Sequence, residues 1–106
     1  MPRRFHPLDR AVAGFTACAP LFHALGDPQR QRIVLLLAQH DELSVNAIAD
    51  AAPLSRPAIS HHLKVLKDAG LLGVRREGRE NFHYLTIDPA LAALRAFVDA
   101  AERACS

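Results

Sequence analysis

Two helical patterns separated by a four-residue turn constrain the fold of this chain more than any other feature of its sequence. The first pattern covers residues 44–51 and opens with a serine, whose hydroxyl suits a helix N-cap. The second covers residues 56–69, follows Ser55 as its N-cap, and places Pro57 in the first turn, where a missing N–H costs nothing. Its apolar residues recur at intervals of four and three, which predicts one buried face: Ile59, Leu63 and Leu66. The sequence therefore predicts two helices joined by a tight turn.

A change of periodicity follows this pair. Gly70 suits the end of a helix, and the segments 71–76 and 81–86 then have the alternating, β-branched and aromatic composition of strands. The charged residues 77–80 join them and include a glycine that suits a tight turn. We therefore expect a β-hairpin within residues 71–87.

The flanking segments are predicted to be helical. Apolar residues recur with helical spacing from about Asp9 to Leu25, with a break or kink expected near Ala19 because Pro20 follows it. Further helices are predicted over residues 28–39 and from residue 90 to about 104. With 106 residues the chain has room for one domain, spanning residues 1–106. The order predicts a mainly α protein with a small β-hairpin, a winged helix-turn-helix with its paired helices at 44–69 and its wing at 71–87.

Positive charge is concentrated in one quarter of the sequence. The whole chain has a formal net charge of only +2, which by itself indicates no partner. Between residues 56 and 79, however, six basic residues stand against two acidic ones, and the rest of the chain is net acidic. The basic residues of this segment are Arg56, Lys64, Lys67, Arg75, Arg76 and Arg79. Such clustering is expected where a protein meets nucleic-acid phosphates, although a solvated surface would look the same.

The start of the second paired helix is expected to enter the major groove of double-stranded DNA, because an α-helix fits that groove. Arg56 could pair with guanine, Ser60 and His61 could bond base edges, and Ala58 could touch a thymine methyl group. The whole predicted DNA-binding set is Ser55, Arg56, Pro57, Ala58, Ser60, His61, His62, Lys64, Arg76 and Arg79.

Several of these residues have a structural alternative. Ser55 could simply cap its helix, His62 could pack between helices, and Arg79 could be merely solvated. Arg30 and Arg32, in the first turn of the helix at 28–39, could reach phosphate, but ion pairs within the helix are the expected role.

Three segments resemble the ArsR/SmtB family of bacterial repressors. They are LFHALGDPQRQRI at 21–33, LSRPAISHHLKVLKDAGLL at 54–72 and RREGR at 75–79. The resemblance implies a homodimer built through the terminal helices, here residues 1–26 and 90–106. It also implies repression at an operator, which a two-fold dimer would read as an inverted repeat, and release when an effector binds.

The family's metal sites are largely missing from this sequence. In the family, a thiolate site lies on a segment similar to residues 42–48, but Ser44 and Asn46 stand here where that site has cysteines. A second site uses four ligands on the last helix, of which only Asp88 is present. Alanines occupy the other three positions, Ala90, Ala101 and Ala104. We therefore expect no metal and no cofactor at these places.

The two cysteines, Cys18 and Cys105, lie on the apolar faces of the predicted terminal helices. If they approach one another within or between subunits, oxidation or persulfidation could release DNA, which makes them a possible redox sensor. The alternative is that both are small buried hydrophobic residues. A metal site completed by His6 or His23 is a further possibility, since sequence alone supplies no distances.

Other classes of function have less support in the sequence. A winged helix can serve as a protein–protein interaction module, but such a module has no need of clustered cations. The sequence shows no nucleophile, base and orienting residue at a suggestive spacing and no glycine-rich phosphate loop, so we expect no enzyme. Apolar runs fall far short of the roughly 20 residues of a membrane span, and the N-terminus does not resemble a secretory signal. A cytoplasmic location without membrane contact is the expectation.

Overall fold

The computed structural model describes residues 6–105, which form five helices and a three-stranded antiparallel sheet. The elements in chain order are α1 (Pro7–Leu25), α2 (Pro28–Ala38), β1 (Leu43–Ser44), α3 (Val45–Ala51), α4 (Arg56–Asp68), β2 (Leu72–Glu77), β3 (Glu80–Leu85) and α5 (Asp88–Cys105). This architecture confirms the predicted mainly α, winged helix-turn-helix fold. Within the described range, no helix is long and apolar enough to cross a membrane.

Side-chain caps fix the starts of the three central helices. Asp27 accepts hydrogen bonds from the backbone N–H groups of Gln29 and Arg30, at 2.9 and 3.0 Å. Ser44 caps α3 through the N–H of Ala47 at 3.1 Å, and Ser55 caps α4 in the same way. These bonds satisfy N–H groups that have no partner inside the helix. The helices therefore begin where the sequence predicts.

Pro20 does not break the helix, because α1 continues through it to Leu25, and the kink that the sequence equally allowed stays a prediction. Proline removes one backbone hydrogen bond, but the residues on both sides of Pro20 are held in the core. Cys18 precedes it and is fully buried, and Leu21 and Ala24 follow it and are buried as well. Packing on both sides therefore keeps the two halves of α1 in one helix.

The wing is a hairpin of β2 and β3 that gains a third strand. The two-residue turn contains Gly78, whose φ of +61° favours glycine. At Gly73 an added Cβ would lie 2.4 Å from the ring of Tyr84, so only glycine lets this ring lie across β2. The strand β1 pairs with β3 and gives the sheet order β1-β3-β2. The sequence did not predict β1, because two residues are too short to show a period.

The hydrophobic core lies where α1, α2, α3, α4 and the base of the wing meet. The residues with least exposure include Ile33, Leu37, Ile48, Ile59 and Leu66. From α4 the core takes Ile59, Leu63 and Leu66, the three residues that its periodicity predicted. One face of α4 is therefore buried, and its opposite face is left for solvent or a partner.

The terminal helices α1 and α5 pack antiparallel and share an exposed apolar face. Gly14 permits their close approach, because an added Cβ would lie 3.1 Å from the Cα of Phe97. Phe97 also makes edge-on ring contacts with Phe15 and Phe22, at centroid distances of 5.4 and 6.2 Å. Large apolar side chains nevertheless stay exposed along this pair, and we call them the terminal apolar face: Leu8, Val12, Phe15, Phe22, Leu91 and Val98.

Candidate nucleic-acid interface

The exposed side of α4 carries most of the residues predicted to contact DNA. Arg56, Ser60, His61 and Lys64 are all exposed along this helix. Pro57 is exposed in the first turn, and Ala58 is half-buried beside it. Ser55 is exposed but accepts the N–H of Ala58 at 3.3 Å, so its capping role is observed directly. The α4 side chains therefore form one continuous polar and cationic surface.

The tip of the wing lies beside the start of α4. Arg56 and Arg79 line one cavity of about 240 Å³. Asn46 of α3 holds the Arg56 guanidinium by accepting one of its N–H groups, a contact that the sequence did not predict. Glu80 and Asn81 of β3 complete the polar wall of this cavity. The fold thus brings together two arginines that are 23 residues apart in sequence.

Arg75 belongs to the wing's own structure, although it adds to the basic cluster in the sequence. Its guanidinium bonds Glu42 at 2.6 and 3.0 Å and Glu77 at 2.9 Å. It also lies 4.8 Å from the ring centre of Phe82. The hydrogen bonds from Arg75 lower the pKa of Glu42. Arg75 therefore ties the wing to the segment before β1, whereas Arg76 and Arg79 of the hairpin are exposed.

The expectation for Arg30 is wrong, because its side chain makes no ion pair within its helix. It is buried, with 9% of its surface exposed. Its Nε donates to the carbonyl of Ala24 at 2.7 Å, and one terminal nitrogen donates to the carbonyl of His23 at 3.2 Å. The other terminal nitrogen lies 3.3 Å from Nδ1 of His62. Arg30 therefore binds the C-terminal carbonyls of α1 and links them to α4.

The contact with Arg30 also determines where the side chain of His62 lies. Its ring is half-buried and faces Arg30, whereas the ring of His61 is exposed. His62 thus packs against α2 through Arg30, and its predicted contact with DNA stays a prediction. Sequence periodicity could not show this packing, because Arg30 and His62 are 32 residues apart.

The two cysteines are far apart within one chain. Cys18 is buried and Cys105 is exposed, and both are free thiols. Gly14 lies against Phe97, and in the antiparallel pair Cys18 and Cys105 lie beyond this contact in opposite directions. Their separation along the helices is about 18 Å at 1.5 Å per residue, and a disulfide needs Cα atoms about 4.4–6.8 Å apart. A Cys18–Cys105 disulfide within one chain is therefore excluded.

No group of three or more metal-ligating side chains lies together within residues 6–105. The geometry thus offers no assembled metal centre in the part of the chain that the structure describes.

The family follows from comparison with known proteins. Residues 27–73, which hold α2 to the start of the wing, match the model of the bacterial regulatory protein, arsR family. An uncharacterized HTH-type transcriptional regulator of Methanocaldococcus jannaschii is 42% identical over 74 residues, covering 70% of this chain and 83% of the relative. The chain belongs to the ArsR family.

A second relative and a solved structure support this placement. An HTH-type transcriptional regulator of Mycobacterium tuberculosis is 47% identical over 79 residues, covering 74% of this chain and 71% of the relative. The solution structure of a homodimeric winged helix-turn-helix DNA-binding domain from Mycobacterium bovis, a possible ArsR-family regulator, matches with a TM-score of 0.69. That domain is 32% identical, and the match covers 97% of this chain and 91% of the domain.

Membership in the ArsR family settles the class of function. The family and these relatives are transcriptional regulators and not enzymes. The present ArsR-family protein is accordingly a winged helix-turn-helix transcriptional regulator that binds DNA.

Proposed function

We propose that the protein is a homodimeric repressor that binds an inverted-repeat operator in double-stranded DNA, in the cytoplasm, and releases it in response to an effector. The observation that carries this proposal is the exposed cationic face of α4, with the wing arginine Arg79 beside Arg56 at its start. A helix start that is exposed and cationic can enter a major groove, and a neighbouring wing can hold the flanking backbone.

The individual side chains divide into two kinds of contact. Arg56, Ser60 and His61 lie within the first two turns of α4 and are proposed to contact base edges, with Pro57 and Ala58 against the same groove. Lys64, Arg76 and Arg79 are exposed cations further along the helix and on the wing, and are proposed to contact phosphates. Ser55 keeps the helix start in place and presents its first N–H groups.

The terminal apolar face supports the homodimer. Six large apolar side chains stay exposed on α1 and α5, among them Phe15 at 56% and Val98 at 47%. A contiguous apolar surface of this kind marks an interaction site. The similar M. bovis domain is described as homodimeric, and a second copy of the same face is its natural cover here.

Two arginine substitutions test the contact classes. Arg56→Ala is expected to weaken operator binding by about 1–3 kcal/mol and to relax the preference at one base position.

Arg79→Ala is expected to weaken binding to all sequences alike and to flatten the dependence of log K on log salt by about one unit. Band-shift titrations of the upstream DNA and of single-base variants, at several salt concentrations, measure both effects.

Arg103→Ala is the matched control, because it removes the same charge at the far end of α5. Unchanged operator affinity in both the Arg56 and the Arg79 variant would contradict the proposed placement. Failure of the wild-type protein to shift any DNA would instead favour the alternative of a protein–protein interaction module. A footprint with two-fold symmetry is the result expected for the inverted repeat.

Fewer thiol reactions could release DNA than the sequence alone allowed. Since Cys18 and Cys105 of one chain cannot pair, a disulfide switch would have to join subunits, and Cys105 is the exposed thiol. Mass spectrometry after treatment with peroxide or polysulfide, beside the band shift, identifies which thiol reacts and whether DNA is released. Release with both thiols unmodified would point to another effector.

A further inference from the structure

A second polar cleft lies between α4 and the wing, beside the cavity shared by Arg56 and Arg79. It has a volume of about 360 Å³. From α4 it is lined by Ser60, Lys64, Lys67 and Asp68, and from β3 by Asn81 and His83. The remaining lining residues are apolar: Val45, Leu63 and Val74. The cleft thus offers several hydrogen-bond donors around one space.

His83 is the unusual member of this set. Its ring is buried, with only 7% of the residue exposed, and Nδ1 has no hydrogen-bond partner within the described residues. Buried polar atoms in native proteins are rarely left unpaired. Nδ1 is itself closed to solvent, so an occupant of the cleft would act on the His83 ring through its charge and not through a direct bond to this atom. This feature could not be predicted from the sequence, because His83 occupies an ordinary position in the alternating pattern of β3.

The charges around the cleft favour an anionic partner. Lys64 is already paired with Asp68 at 2.9 Å. Lys67 lines the same space and has no ion-pair partner between residues 6 and 105. Neither wing strand nor α3 adds a charged side chain to the lining, so one positive charge is left uncompensated.

We propose that this cleft binds a phosphate-type oxyanion, held by Lys67, Ser60 and Asn81 with His83 at its inner wall. The proposal deepens the proposed function, because the occupant would sit between the two elements that are to contact DNA. The same chemistry has two sources: a phosphodiester of the operator backbone, or a free phosphorylated effector. Ammonium, hydroxyl and amide groups are the donors that phosphate recognition commonly uses.

Protonation of His83 links this binding to pH. Burial lowers the pKa of His83, the charge of Lys67 lowers it further, and a hydrogen bond with the backbone of Leu43 opposes both. The ring is therefore neutral at neutral pH, and an oxyanion beside it would stabilise the charged form. Anion binding should then take up a proton and strengthen as the pH falls towards 6.

Titration of the DNA-free protein with inorganic sulfate tests the site. Sulfate keeps its charge between pH 6 and 7.5, so any pH dependence belongs to the protein. Amide NMR spectra at constant ionic strength should show saturable shifts confined to the cleft, with tighter binding at pH 6. Lys67→Ala should weaken binding by about 10-fold, and Arg32→Ala, which removes an exposed charge lining another cavity, should leave it unchanged.

His83→Gln should keep sulfate binding but abolish its pH dependence. If that variant does not fold, Lys67→Ala and the wild-type pH profile still decide the matter. Scattered shifts of equal size in wild type, Lys67→Ala and Arg32→Ala would overturn the proposal, as would tighter binding at pH 7.5 than at pH 6.

Operator DNA distinguishes the two sources. If the cleft takes a backbone phosphodiester, sulfate and operator compete, and Lys67→Ala lowers the salt slope of DNA binding by about one unit. If it takes a free effector, Lys67→Ala weakens sulfate binding but leaves the salt slope of DNA binding unchanged. Sulfate binding without any DNA binding would refute only the repressor proposal, and DNA binding without a sulfate site would refute only the cleft.

Discussion

Val98→Glu is expected to convert the proposed dimer into monomers and to weaken operator binding by at least about 100-fold. Val98 is 47% exposed on the terminal apolar face, and two-fold symmetry would bring two added carboxylates into one interface. Burying unpaired charge there is far more costly than keeping the subunits apart. Each monomer would then read one half-site without the gain in effective concentration that a linked second half-site provides. Sedimentation measures the assembly, and band shifts with whole and half operators measure the affinity.

Ala96→Glu serves as the matched control. Ala96 is exposed and lies two residues from Val98, which places it on nearly the opposite side of α5. This variant should remain dimeric and bind the operator like the wild type. A Val98→Glu protein that stays dimeric would show that the terminal apolar face is not the dimer interface. Monomers with wild-type operator affinity would show that DNA binding does not require the dimer.

Arg30→Met is expected to lower the free energy of unfolding by roughly 2–4 kcal/mol, since hydrogen bonds from a charged group each contribute about 1.5–3 kcal/mol. Methionine retains much of the apolar stem but leaves the carbonyls of His23 and Ala24 without their charged donor. These carbonyls lie in the last turn of α1, where few N–H groups are left for them, although that of His23 also accepts the backbone N–H of Gly26 at 3.3 Å. Urea unfolding at a fixed protein concentration measures the loss, because the proposed dimerisation would also contribute to stability.

Arg32→Met provides the comparison for Arg30. Arg32 lies two residues further along α2 and is exposed. Its substitution should change the free energy of unfolding by less than about 0.5 kcal/mol. Equal losses from the two variants would contradict the structural role assigned to Arg30.

Local signals explain why so much of the fold could be predicted from the sequence. Asp27 and Ser55 are N-caps that act within three residues, and each is followed by a proline in the first or second position of its helix. The apolar spacing of α4 likewise predicted its buried face. The positive-φ turn at Gly78 joins the two predicted strands of the wing. Each of these signals lies within a few residues of the structure that it specifies.

Features that depend on distant partners were not predicted. Pro20 stays helical because core contacts on both sides hold α1, and these contacts come from other elements. Arginine is usually a surface residue, but the side chain of Arg30 is held by two carbonyl groups of the preceding helix and by a histidine of α4. His83 differs from its neighbours only through the cleft that α4 closes over it. A pattern within one segment does not indicate which distant residues that segment contacts, so these contacts could not be predicted.

Because Cys18 is completely buried, the rate of any reaction at its thiol depends on how often the thiol becomes exposed. With no exposed surface in the native chain, its sulfur meets a dissolved reagent only when α1 moves away from the core. The rate of Cys18 alkylation should therefore level off as reagent concentration rises, at the rate of spontaneous opening. Modification of Cys18 therefore reports local unfolding of α1. The rate of oxidation at Cys18 would likewise depend on how often α1 opens, and less on the concentration of the oxidant.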